Sequence, residues 1–125
     1  MKDIKIAFFG TPELCVPILE KLTASHLTPC LIVTNPDRPI GRKQILTPPP
    51  VKNWAEKHAI KVLQPEAIDD EFLATFAEED IDLSIVVAYG KILPQELIDA
   101  PKFGTLNIHY SLLPRWRGAA PTEAA

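Results

Sequence analysis

The sequence predicts an α/β fold: one domain built on a parallel sheet with helices on both faces. Two observations predict it. The apolar runs are short, continuous and β-branched rather than alternating, as in strands buried on both sides. They also alternate along the chain with segments whose apolar residues recur at helical spacing. The 125 residues, 46% hydrophobic and 23% charged, suffice for one core and argue against disorder.

Residues 4–9 form the first apolar run, which ends at Gly10 and reads as a buried strand. "GTPE" then reads as the turn into a helix. Thr11 can cap it, Pro12 suits its first position, and Glu13 complements its N-terminus. Val16, Leu19 and Leu22 give that helix its apolar face. Residues 31–34 are the second strand. Between residues 35 and 50 lie Pro36, Pro39, Pro48, Pro49 and Pro50, so this segment is expected to be a long loop, neither helix nor central strand. Loops of that length inside a domain are often functional.

Residues 51–58 read as a helix and 61–63 as a short strand. Phe72, Leu73 and Phe76 mark a helix over residues 71–79. Residues 83–88 are a central strand closed by Tyr89 and Gly90, residues 94–100 a short helix opening on proline, and residues 104–109 the last buried strand. Together these make a Rossmann-like sheet. In such sheets sites form at the carboxyl ends of the strands. Gly10–Thr11, Thr34–Asn35, residues 88–90 and residues 109–114 all fall at those ends and are expected to meet in one crevice.

The longest apolar runs are strand-sized, too short to span a membrane. No targeting segment precedes residue 4, so a cytoplasmic location is expected. Cys15 and Cys30 lack CxxC spacing and read as two buried free thiols, not as a metal site or disulfide. The net charge of −3 argues against a generic nucleic-acid binder. The charge is uneven, however. Residues 66–82 hold eight acids and no base, the pattern of a solvated helix face, whereas residues 37–52 hold one acid against Arg38, Arg42, Lys43 and Lys52. An anionic partner should touch the second region. The first turn is not GxGxxG, and GxxxxGK[ST] does not occur, so neither dinucleotide binding nor a phosphate-cradling NTPase has local support.

The chemistry-bearing stretch is residues 104–121, "GTLNIHYSLLPRWRGAAP". Asn107 and His109 stand at i and i+2, so their side chains leave the same face of a strand. Two polar residues near a strand end are ordinarily just hydrogen-bonded. Here they sit at the carboxyl end of a strand, beside a loop rich in proline and arginine. An amide NH₂ can stabilise a developing oxyanion, and an imidazole can donate a proton near neutral pH. Side by side they suit nucleophilic attack on a carbonyl carbon. No serine or cysteine stands with them as a covalent nucleophile, which points to direct acyl transfer to an amine. A third group, typically a carboxylate, should orient or deprotonate.

The Asn-x-His followed by Ser-Leu-Leu-Pro and Arg-Gly-Ala-x-Pro resembles the signature of the folate-dependent formyltransferases. "FFGTPELCVPILEKL" and "TNPDRPIGRKQILTPPPVK" resemble the methionyl-tRNA formyltransferase branch of that family, and the likeness runs along the whole chain. The resemblance implies transfer of a formyl group from 10-formyltetrahydrofolate, without a metal, to the amino group of methionine on initiator tRNA. It implies Asn107 and His109 as the catalytic pair. Ser111, Leu112, Leu113 and Pro114 would be the segment on the folate. Val87, Ala88, Tyr89 and Gly90 would be the wall of the pterin pocket. The loop over residues 36–50 would meet the tRNA acceptor end through Arg38, Arg42 and Lys43, whose phosphate contacts electrostatics favours. "GRKQIL" is poorer in glycine and lysine than the family's usual loop, and Tyr110 stands where smaller residues are common and is expected to point away from the site.

Residues 121–123 read as a helix start followed only by Ala124 and Ala125. The chain is therefore expected to be the N-terminal part of the catalytic domain, inactive alone, with the family's catalytic aspartate and C-terminal remainder further on. The complete enzyme is expected to be a monomer. Two other readings stay open: a formyltransferase acting on a small amine, an amino sugar or glycinamide ribonucleotide, and a non-catalytic Rossmann-like binding module in which Asn107 and His109 are structural.

Overall fold

A computed structural model describes residues 3–109. Five parallel strands make the sheet: β1 (Ile6–Gly10), β2 (Leu31–Val33), β5 (Lys61–Leu63), β6 (Leu83–Val87) and β7 (Thr105–Asn107). Their order is β5-β2-β1-β6-β7. The chain thus builds outward from β1 in one direction, returns, and builds outward through β6 in the other. The reversal lies between β1 and β6, where open α/β sheets leave a crevice at the carboxyl ends of their strands.

Helices cover both faces, as the continuous apolar strands require. On one face α1 (Cys15–Ala24) and α2 (Pro50–Lys57) bury Cys15, Leu19, Val51 and Trp54 against Ile6, Phe8, Ile32 and Val87. On the other, α3 (Asp70–Glu78) and α4 (Gln95–Asp99) bury Phe72, Phe76 and Leu97 against Ala7, Phe9, Val33 and Val86. Neighbouring residues of β1 enter opposite cores, and all five of its residues are buried. Asp69 caps α3 by accepting from the Phe72 backbone N–H at 2.9 Å.

Four expectations need correction. The proline-rich segment is not a loop throughout. It carries an antiparallel hairpin, β3 (Arg38–Ile40) paired with β4 (Ile45–Thr47), set apart from the main sheet. Pro39 is tolerated because a two-stranded ribbon leaves its missing donor on an open edge. Thr11 does not cap α1: the helix starts at Cys15 after Leu14, with no side-chain cap, and the Thr11 hydroxyl serves elsewhere. The last strand is not buried. Among the described residues β7 is the edge beyond β6, and Leu106 and Asn107 are exposed. Cys15 is buried as expected, but Cys30 is exposed.

Glycine is required at position 10. A Cβ there would stand 2.7 Å from Cys15 Sγ and 2.9 Å from the Val87 carbonyl oxygen. Its absence lets β1 and β6 run close at their carboxyl ends and brings the Cys15 thiol to the same carbonyl, to which it donates at 3.1 Å. Cys15 is fully buried in the core, a packing position, and that burial pushes its thiol up to about 11.

Candidate active site

β6 ends in a turn that regular strand geometry does not allow. Ala88 has φ +50° and Gly90 φ +95°. A left-handed alanine costs about 1 kcal/mol and persists only where the surroundings enforce it. A hydrogen-bonded cluster supplies that enforcement. The Tyr89 carbonyl accepts from Asn35 Nδ2 at 2.7 Å and from Thr11 Oγ1 at 2.9 Å. Asn35 Nδ2 also donates to Thr11 Oγ1 at 3.0 Å, and Asn35 Oδ1 accepts from the Lys91 ammonium. Lysine can only donate, so the side-chain oxygen must face Lys91 and the NH₂ must face the carbonyl. Thr11 follows β1, Asn35 follows β2 and Tyr89 follows β6, so the cluster ties three strand ends together across the reversal point.

Beside this turn lies an open cleft of about 350 Å³. Residues 88–91 form one wall, with Val86 and Leu14. Asn107, Ile108 and His109 form the other. Asn107 pairs with Val86 in the ladder, and the Ile108 N–H donates to the Val86 carbonyl at 2.8 Å, carrying the pairing one residue past the strand. The last rungs thereby hold Asn107 and His109 over the cleft, both exposed to an incoming ligand. Tyr89 packs edge-on against Phe9 with centroids 5.5 Å apart. Its burial pushes the phenol up to about 12, and its hydroxyl has no partner among the described residues. Lys91 is held below the usual lysine range by partial burial and by the nearby charge of Arg38, opposed by Glu66.

Of the sequence-predicted site residues, Asn107, His109, Ala88, Tyr89 and Gly90 meet in this cleft. Val87 points into the core with Ile6 and Phe8, and its neighbour Val86 lines the cleft instead. Ser111, Leu112, Leu113 and Pro114 lie outside the described residues. Arg38, Arg42 and Lys43 stand exposed on the hairpin, with Ile40, Ile45 and Leu46 also more than half exposed. The hairpin's root is fixed. Asp37 accepts from Lys52 Nζ at 3.2 Å and from Gln64 Nε2 at 2.7 Å, and Gln64 also donates to the Asn35 carbonyl at 3.1 Å. Sequence reasoning placed Thr11 and Asn35 at the crevice without giving either side chain a role, and it missed Lys91. The available signal for Asn35 was a Thr-Asn pair at the carboxyl end of a buried strand.

A second hollow of about 370 Å³ lies between the end of β5 and α3. Its lining includes Glu66, Asp69 and Glu71 and none of the predicted residues, so it does not suit an anionic ligand. Among the described residues no group of three His, Cys, Asp or Glu side chains is placed to hold a metal ion. No helix among them is long and apolar enough to cross a membrane.

Residues 4–125 match the sequence pattern of the formyl transferase family. The chain belongs to that family. Within the formyl transferases it is 51% identical over 123 residues to the methionyl-tRNA formyltransferase of Halalkalibacterium halodurans. It is 49% identical over 121 residues to that of Halorhodospira halophila, and 48% over 122 residues to that of Staphylococcus epidermidis. These matches cover 97–98% of this chain and 39% of each relative, so the chain spans well under half the length of the curated relatives it matches. The crystal structure of phosphoribosylglycinamide formyltransferase from Anaplasma phagocytophilum superposes with a TM-score of 0.60 at 21% identity, covering 94% of this chain and 54% of that one. That likeness establishes the formyl transferase fold.

Proposed function

We propose that the complete protein transfers a formyl group from 10-formyltetrahydrofolate to the α-amino group of methionine carried by initiator tRNA, a cytoplasmic step at the start of protein synthesis. The observation that carries the reading is the placement of Asn107 and His109 together on one cleft at the sheet's carboxyl edge, in a chain about half identical to methionyl-tRNA formyltransferases along nearly its whole length.

The chemistry follows from those two groups. The methionine nitrogen attacks the formyl carbon, and the carbonyl electron pair moves onto oxygen. The Asn107 NH₂ donates to that oxyanion, and the His109 imidazole donates a second hydrogen bond or a proton. Collapse of the tetrahedral intermediate breaks the bond from carbon to the donor nitrogen, which leaves with a proton, while the attacking nitrogen loses one. In this reading the turn over residues 87–90 borders the pterin, and Ser111, Leu112, Leu113 and Pro114 contact the folate.

The hairpin favours a tRNA acceptor over a small amine. It presents Arg38, Arg42 and Lys43 beside exposed apolar side chains, on a root tied down by Lys52 and Gln64. A small substrate held inside the cleft gains nothing from such a projection, whereas phosphates neutralised by arginine and lysine release counterions.

Incubating the complete protein with 10-formyltetrahydrofolate and methionyl initiator tRNA tests the reading. Formylmethionyl-tRNA is the expected product. Transfer to glycinamide ribonucleotide or an amino sugar with none to the tRNA would overturn the acceptor assignment in favour of the small-amine reading.

A further inference from the structure

The turn that walls the cleft is held by a residue the chemistry above does not use. Asn35 is 8% exposed, and every polar atom of its side chain has a partner. Its NH₂ bridges the Tyr89 carbonyl and the Thr11 hydroxyl, and its carbonyl oxygen receives the Lys91 ammonium. The packing is equally tight: a Cβ on Gly90 would lie 3.1 Å from Asn35 Nδ2. Thus one amide hydrogen-bonds two of the four residues 88–91 and leaves little room for a side chain at a third, in a turn with two left-handed backbone positions. Gln64, from just past the end of β5, in turn donates to the Asn35 backbone carbonyl.

We propose that Asn35 is a positioning residue for the formyl donor: with Thr11, it clamps the left-handed turn over residues 88–91 so that the turn forms a fixed wall opposite Asn107 and His109. This inference rests on the folate-dependent reading above. Two donors converge on the Tyr89 carbonyl, and both are needed to hold a turn that otherwise relaxes away from its left-handed geometry. Asn35→Asp keeps the size and the bond from Lys91 but loses the NH₂. Thr11→Val keeps the shape and loses the hydroxyl, whereas Thr11→Ser keeps it.

The test uses the complete protein. In Asn35→Asp, Asn35→Ala and Thr11→Val, the KM for the formyl donor should rise at least fivefold. The KM for methionyl-tRNA should stay within twofold, and Thr11→Ser should behave as wild type. A merely structural asparagine would lower the melting temperature and leave that split unmoved, so a donor KM within twofold of wild type in both Asn35 variants overturns the proposal. Equilibrium titration with tetrahydrofolate reads the same wall without an acceptor, so failure of the tRNA assignment leaves this test intact. The Gly90 backbone amide resonance supplies a readout independent of any ligand. It should shift or broaden in Asn35→Asp while that of Ile85, within β6, is unchanged; a Gly90 signal identical in wild type and both Asn35 variants overturns the clamp whatever the protein's substrate.

Discussion

Asn107 lies directly across the parallel ladder from Val86, and the two border the same cleft from neighbouring strand ends. This rung sets the geometry of the candidate site. It brings the amide level with the point where β6 leaves the sheet and turns left-handed. His109 follows two residues on, beyond a last ladder bond from Ile108 to Val86. The proposed catalytic pair is therefore mounted on the edge of the sheet, while the opposing wall is a turn held by side chains.

The close approach at Gly10 makes a stability prediction. An added methyl would meet the Val87 carbonyl oxygen and Cys15 Sγ, one of which is backbone and cannot swing away. Gly10→Ala should cost about 1–3 kcal/mol, as overpacked cores do. A lowered urea midpoint checks it, and an unchanged midpoint would mean that β1 and β6 separate freely.

The hairpin root makes a pH prediction. The Asp37 carboxyl is held below its ordinary value of 3.8, first by the hydrogen bond from Gln64 and then by Lys52. A depressed carboxylate contributes stability above its unfolded pKa and loses it as pH falls through the folded value. Asp37 is partly exposed, so the effect is modest. In Asp37→Asn the loss of urea stability between pH 7 and pH values below 3.8 should be smaller than in wild type; an equal loss in both would show that the carboxylate has no coupling to folding.

The strands were legible because a parallel sheet buried on both faces leaves unbroken β-branched runs, and β5 lies where residues 61–63 suggested. The hairpin was not. Pro39 breaks the strand pattern, and Ile40, Ile45 and Leu46 are exposed, so no buried face imprints a period of two. The start of α1 was misplaced because the Thr11 hydroxyl, a plausible cap, is taken by the Tyr89 carbonyl 78 residues away. Local reasoning sees the cap and cannot see the distant acceptor. The spacing of Asn107 and His109 put them on one face, but it could not show that β7 is exposed or that Asn35 hydrogen-bonds the facing turn.

Arg42 stands in the exposed turn of the hairpin and should act on tRNA alone. Arg42→Ala in the complete protein should weaken methionyl-tRNA use, reduce the salt dependence of binding by about one unit of slope, and spare folate affinity. Steady-state kinetics at several salt concentrations checks this. Equal losses for tRNA and folate would favour the small-amine reading.

The central claim is that Asn107 and His109 stabilise the oxyanion formed during formyl transfer. Turnover by the complete protein carrying Asn107→Ala or His109→Ala, measured with saturating 10-formyltetrahydrofolate and methionyl initiator tRNA, tests it most directly. Both side chains are exposed in the cleft, so each variant should fold and melt as wild type does while kcat falls by about 10²- to 10³-fold. A well-folded variant that retains turnover within about threefold of wild type would contradict it.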